Sequence, residues 1–465
     1  MTHRRMLLAM SGLMLAIFAA GLSSTIVANA LPTIIRDLRG TGSQYTWVVT
    51  STILAATASG PIWGKLADRT GKKPLTQVSV ALMSVGMLAA GFAPNTMLLI
   101  GLRAVEGVGA GGLIALAQTV IASIAAPRER GRYMAYFSAA GAAATVSAPS
   151  IGGVIVATPH LGWRWCFWAG VPITVAAMLL VHKTLRVPLV TADTAIDWQG
   201  AALIPGGICL LLVWFTFAGT EFAWISWPSF ALLSASVALI AVAVHVERSA
   251  RDPIISPRLL RRRTVALAIV AWIAIGVPMI SAPVFFAQYF QLARGYPPAE
   301  SGVLTLPMVA ALVASTAACG RMVRRTGRWK RLLVGGTTLV VVALLLLGTI
   351  DRSTPVPLLG AYMAILGLGI GASSQNIVVA AQNALARREM GTGTATLTFF
   401  HLLGGAAGLS VLGTVFATSV AGTISRTAYG NATAFVFLVT AAVAAVAVIA
   451  VLFIRETPLA TSDRG

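Results

Sequence analysis

The sequence predicts an all-α integral membrane protein of fourteen transmembrane helices, arranged as two six-helix bundles with two further helices inserted between them. Three observations predict it. Of the 465 residues, 57% are apolar and only 10% charged, against about 45–50% and about 25% in a soluble domain. Mostly apolar stretches long enough to cross a bilayer recur along the whole chain. A ten-residue loop in the first half returns in the second. So much apolar surface cannot be hidden in one core, which excludes an ordinary soluble enzyme. Fourteen spans of about 20 residues need roughly 280 positions, leaving short loops and no room for a separate soluble domain.

Taken in order, helices are expected near 6–28, 45–63, 76–92, 96–122, 134–158, 166–181, 200–218, 228–246, 264–289, 302–319, 332–350, 356–380, 393–418 and 432–454. The first follows Arg4 and Arg5 and imitates a signal peptide, but its apolar run of about 22 residues exceeds the 7–15 of a signal core, so it is expected to be retained. An even count puts both termini on one side. With the termini cytoplasmic, the inside loops hold 27 of the 34 Lys and Arg residues. The outside loops hold six, at Arg36, Arg39, Arg164, Arg294, Arg352 and Arg426, and Arg103 alone is left within a helix. This is the basic bias of cytoplasmic loops. It also explains the formal charge of +20 without a nucleic-acid partner, because the basic residues form no single face. Cys166, Cys209 and Cys319 lie far apart with no metal-type spacing, so neither a disulfide framework nor a metal or other cofactor is expected. The expected units are 1–185, a six-helix bundle; 186–260, the inserted pair with linkers; and 261–465, the second bundle.

The repeated loop runs from Gly64 to Lys73 and again from Gly320 to Trp329. The first copy joins the second and third helices, the second joins the tenth and eleventh, and both lie on the inside. Gly64 and Gly71 permit a tight reversal and close backbone approach, and Asp68 can accept from cationic neighbours such as Arg69 and Lys72 or cap a helix. Arg324 stands at the place of Asp68 in the second copy. Repeats that rock about a midplane site are the architecture of secondary transporters.

Gly64, Leu66, Asp68, Arg69, Gly71, Lys72 and Lys73 fit the pattern G-x-L-a-D-r-x-G-r-k. Arg103 to Gly109 fit R-x-x-q-G-x-g, and Ala148-Pro149-Ser150-Ile151-Gly152-Gly153 fit G-P-x-x-G-G with alanine first. Trp163 to Phe167 with Pro172, Asp197 to Gly200, and Tyr289 to Gln291 with Gly295-Tyr296-Pro297 add further marks. In this order and spacing the chain resembles the major facilitator superfamily from its first helix to its last, in particular the fourteen-helix drug:proton antiporter branch. The resemblance implies the major facilitator fold and proton-coupled export of amphiphilic drugs or antibiotics by alternating access. It implies Gly64, Asp68, Arg69, Gly71 and Lys72 as a conformational-switch loop, and Pro149, Gly152 and Gly153 as the antiporter helix. Expected partners are a small amphiphilic substrate, protons and membrane lipids. A monomer in a bacterial cell membrane is expected. Two departures bear on mechanism: Ser23 stands where many relatives carry an intramembrane Asp in the first helix, and His401 stands where relatives often carry Arg.

Ionisable residues inside a membrane are costly, so those that remain are functional candidates. Arg103, Glu106 and His401 are the three expected within helices. Arg103 and Glu106 are three apart and can pair on one helix. A neighbouring cation favours a charged carboxylate and burial a neutral one, so a change in their balance between access states could couple Glu106 to a proton. A structural ion pair is the competing reading. His401 has chemistry suited to protonation near neutral pH, or to a simple interhelical hydrogen bond. Substrate contacts are expected from Ser23 and Asn29 on the first helix, Phe286, Tyr289 and Gln291 on the ninth, and Gln375 and Asn376 on the twelfth, since apolar pockets with few polar anchors suit amphiphiles. No H-E-x-x-H, acidic pair or nucleophile–base set argues for an enzyme. Export of an endogenous lipid or metabolite is the alternative, and a channel or sensor a more distant one.

Overall fold

A computed structural model describes residues 3–40, 42–125, 129–158, 162–185, 187, 198–219, 222–249, 257–386, 389–420 and 425–456. A helix occupies each of the fourteen predicted stretches. In order these are α1 (His3–Asp37), α2 (Gly42–Thr70), α3 (Lys72–Ala90), α4 (Thr96–Ile124), α5 (Arg130–Ala157), and α6 (Trp165–Trp168) continued by α7 (Gly170–Thr184). Next come α8 (Trp198–Phe217), α9 (Trp227–Ser249), the short α10 (Pro257–Leu260), and α11 (Arg263–Gln288), which ends in a π-helical turn at Tyr289–Ala293. The chain closes with α12 (Pro298–Leu304), α13 (Leu306–Thr326), α14 (Lys330–Leu347), α15 (Val356–Asn383), α16 (Met390–Val420) and α17 (Arg426–Leu452). Among the described residues, ten helices are long and apolar enough to cross a membrane. Side chains such as Phe230, Val237, Phe435 and Ile449 are exposed on the outside of the bundle, as a lipid-facing surface requires.

The two halves are built alike. In the first, α4 packs on α2 and α3, α1 on α5 and α7, and α3 on α7; in the second, α15 packs on α13 and α14, α11 on α16 and α17, and α14 on α17. Glycine spacing is the local cause. Gly107 and Gly111 are four apart and so share a face of α4, where they admit the backbone of α2 at Thr52 and Ala56, while Gly109 admits Met83 of α3. On α15, Gly367 and Gly371 meet Met308 and Leu312 of α13, and Gly369 meets Val340 of α14. A methyl group at position 107 would collide with the Thr52 carbonyl. Gly107→Ala is therefore expected to cost about 1–3 kcal/mol by overpacking. Thermal unfolding in detergent checks this against Gly101→Ala, whose added methyl meets nothing and whose midpoint should hold or rise.

Both copies of the repeated loop turn on a left-handed glycine, Gly71 at φ 91° and Gly327 at φ 69°. Between the halves, α8 and α9 form a hairpin closed by a buried hydrogen bond from Ser236 Oγ to the Gly207 carbonyl (2.8 Å) and another from Trp214 Nε1 to Ser229 Oγ (2.7 Å).

Candidate functional site

Asn95 starts α4 by accepting a hydrogen bond from the Leu98 amide, and two turns later the helix carries Arg103 and Glu106 into the core of the first half. Arg103 Nη1 donates to Glu106 Oε2 at 2.7 Å, and Ser23 Oγ of α1 donates to Oε1 at 2.8 Å. Arg103 Nε donates to the Val48 carbonyl of α2 at 3.4 Å, and its guanidinium lies 6.0 Å from the Phe167 ring centroid of α6. Gly86 of α3 leaves room for this packing, since a Cβ there would lie 2.6 Å from the Glu106 amide nitrogen. Arg103 and Glu106 are 2% and 3% exposed. Opposite charges, an added hydroxyl donor and a backbone acceptor give a buried pair that is neutral and well satisfied, the condition under which such a pair is tolerated. In this arrangement Glu106 is closed off inside the half by α1, α2, α3 and α6. Ser23 of α1 thus touches the carboxylate that α4 supplies. Arg103→Ala would leave Glu106 buried without its cation. A loss of about 3–5 kcal/mol is expected, read as a lowered unfolding midpoint and less folded protein.

His401 belongs to a different place. It sits on α16, stacked on Trp272 of α11 with ring centroids 4.1 Å apart, and its Nδ1 lies 3.2 Å from the Trp272 carbonyl. Gly276 makes this contact possible. The structure does not bring His401 together with Glu106.

Hydrogen bonds between the two halves gather at the end that carries the basic loops. Gln118 Oε1 of α4 accepts from Thr398 of α16 at 3.2 Å, Gln375 of α15 donates to Ser138 of α5 at 3.2 Å, and Arg130 donates to Gln382 at 3.4 Å. Gly64, which the structure places within α2 and not in a reversal, lies in the same seam, pressed against Gly391 and Ala395 of α16. Arg69 is exposed and Lys72 half-buried. The Asp68 side chain lies outside the described residues, as do those of Pro149 and Asn29 and the surroundings of Gly153. Gly152 packs on Ile26 of α1.

The expected substrate contacts separate. Ser23 is in the Glu106 cluster and Gln375 in the seam. Asn376 is buried and bonds to the Ala372 carbonyl of its own helix, while Gln291 is exposed beyond α11. Phe286 and Tyr289 are packed in the core of the second half. Phe286 packs on Phe437 at 5.0 Å, and the Tyr289 hydroxyl donates to the Asp351 carbonyl at 2.6 Å. An aromatic residue satisfies a core as well as a chamber, and hydropathy does not tell the two apart. Outside the membrane helices, hydrogen bonds from Ser353 and Thr354 hold the Asp351 carboxyl below the usual carboxylate range.

Gly107, Gly109 and Gly111 recur 260 positions later as Gly367, Gly369 and Gly371, and the same offset carries Arg103 and Glu106 to Met363 and Leu366, both fully buried. The ionisable pair therefore breaks a symmetry that the packing keeps. The seam residues Gln118, Ser138, Gln382 and Thr398 carry no motif.

Comparisons with known proteins agree with this architecture. The profile described as Major Facilitator Superfamily matches residues 13–409. An uncharacterised MFS-type transporter of Mycobacterium tuberculosis (strain ATCC 25618 / H37Rv) is 33% identical over 406 residues, covering 87% of this chain and 59% of its own length. The multidrug transporter protein MdtP of Bacillus subtilis (strain 168) is 30% identical over 408 residues, 88% of this chain and 75% of its own. The efflux pump dotC of Dothistroma septosporum is 34% identical over 398 residues, 84% and 68%. The chain thus spans about 59% of the length of its mycobacterial relative. Two solved structures share the fold. The human organic anion transporter MFSD10 (TETRAN) has a TM-score of 0.68 at 15% identity, covering 97% of this chain and 100% of its own. The proton:xylose symporter XylE has a TM-score of 0.69 at 13% identity, covering 98% of each. With the family profile spanning most of its length and its two halves packed on one plan, the chain belongs to the Major Facilitator Superfamily of membrane transporters.

Proposed function

We propose that the protein is a proton-coupled efflux transporter that exports amphiphilic drugs or antibiotics across a bacterial cytoplasmic membrane by alternating access. The observation that carries this reading is the Ser23–Glu106–Arg103 cluster, a titratable carboxylate held by two helices inside one half of a repeated fold. With the basic loops inside, the seam closed by these hydrogen bonds is the cytoplasmic one. Parting that seam is accompanied, in this reading, by a shift of α1 on α4 within the first half, which changes what surrounds Glu106. The carboxylate then takes up a proton in one state and gives it up in the other. The relatives named as multidrug transporter and efflux pump support the choice of cargo.

Proteoliposomes containing the full chain test this. An imposed proton gradient is expected to drive saturable movement of an amphiphilic dye, which a protonophore stops. Dye movement indifferent to the gradient would reject the coupling, and non-saturable conductance would reject the transporter cycle.

A further inference from the structure

The α8–α9 hairpin lies along the line where the halves meet. On α8, Ile204, Ile208 and Leu212 recur every four residues and are all buried, so they form one apolar stripe. That stripe joins Leu54 and Trp47 of α2 and Phe399, Phe400 and Leu403 of α16 in a single apolar cluster. One face of α8 therefore rests on a helix from each half. Farther along, Phe217 stacks on Trp47 with centroids 4.8 Å apart, and the left-handed Gly219 (φ 86°) sits against the Thr414 side chain of α16. The outward side of the hairpin is lipid-like in character, with Phe230, Val237 and Val242 exposed on α9. The opposite seam, between α5 and α13, is flanked by the short α12 instead, and Ile151 of α5 is exposed.

We propose that the inserted pair is a lipid-side seal: it rides on α2, slides along α16, and keeps the acyl chains of the bilayer out of the chamber where these two helices part. The physical argument is twofold. Acyl chains would fill any apolar gap that opened between the halves. Apolar contact without fixed partners can also be re-formed after a small sliding step, because hydrophobic association is non-directional. The aromatic stack on Trp47 gives α8 a geometrically specific hold on α2, whereas its contacts with α16 are with smooth aliphatic and phenyl surface. The inference holds whether or not cargo movement is tied to protons.

The test uses the full chain in bilayers of brominated phosphatidylcholine, which quenches a fluorophore touched by its acyl chains. With the three native cysteines replaced by alanine, a bimane is placed at Ala406→Cys, in the cluster under α8, or at Ile151→Cys, an exposed position on α5. The Ala406 probe is expected to be quenched about threefold less than the Ile151 probe, with and without a dye gradient, because α8 stands between it and the lipid. Equal quenching would overturn the seal. In a second arm, Trp47→Cys and Phe217→Cys are joined by a short bifunctional thiol reagent. Dye transport is expected to persist, since α8 and α2 move together, and its loss would overturn the assignment of the sliding surface to α16. The first arm reads lipid contact alone, and the second compares dye transport by the same double-cysteine protein before and after cross-linking, so a failure of proton coupling does not produce the same result.

Discussion

Replacing Glu106 by Gln is expected to lower cargo-driven proton movement by about two orders of magnitude or more, the scale on which a positioned proton-transfer group acts. Gln keeps the shape and can accept from Ser23, but it leaves the Arg103 guanidinium buried without an anion. The variant should therefore unfold at a lower temperature than the parent as well as lose coupling. The second half of the molecule supplies the control. Met363 and Leu366 occupy there the places of Arg103 and Glu106. The double change Arg103→Met with Glu106→Leu removes both charges together, and exchange of a whole buried pair for apolar residues is often neutral or stabilising by about 1–4 kcal/mol. The double variant should be at least as stable as Glu106→Gln and equally uncoupled. Unchanged proton movement in either, measured with a pH-sensitive dye inside proteoliposomes, would remove Glu106 from the mechanism. Stability and coupling are expected to part company here, which a purely structural ion pair does not predict.

Gly64→Leu is expected to reduce transport to background while the protein stays folded. The residue lies between the halves, with the Gly391 carbonyl 2.9 Å from where a Cβ would be and the Ala395 side chain nearer still. A branched side chain there cannot be housed without parting α2 from α16, because packed interiors have little give. The seam at the basic-loop end would then stay open. A cysteine at Thr398, whose hydroxyl bonds to Gln118 across the halves in the closed seam, should become labelled by a membrane-impermeant maleimide from the cytoplasmic side. Gly60→Ala, one turn away with nothing near its added methyl, should transport normally. Normal transport by Gly64→Leu, or no gain in labelling, would show that this contact does not gate the cycle.

Much of the architecture was legible in the sequence because a bilayer imposes a length and a composition on anything that crosses it. Each of the fourteen apolar stretches became a helix, and the two loops beginning at Gly64 and Gly320 marked the repeat that the helix pairings display. The pairing of Arg103 with Glu106 was legible too, because residues three apart on a helix are neighbours whatever surrounds them. The tertiary structure alone decided the rest. That Ser23, 83 residues away, completes the Glu106 cluster depends on how α1 lies on α4. That Phe286 and Tyr289 enter the core, while His401 stacks on Trp272, depends on helix rotation. In water a polar face and an apolar face reveal that rotation; in a membrane the lipid, the core and a chamber for amphiphiles are all apolar. The local sequence carries too little contrast to choose among them, and the choice falls to the close approach of neighbouring helices at their glycines.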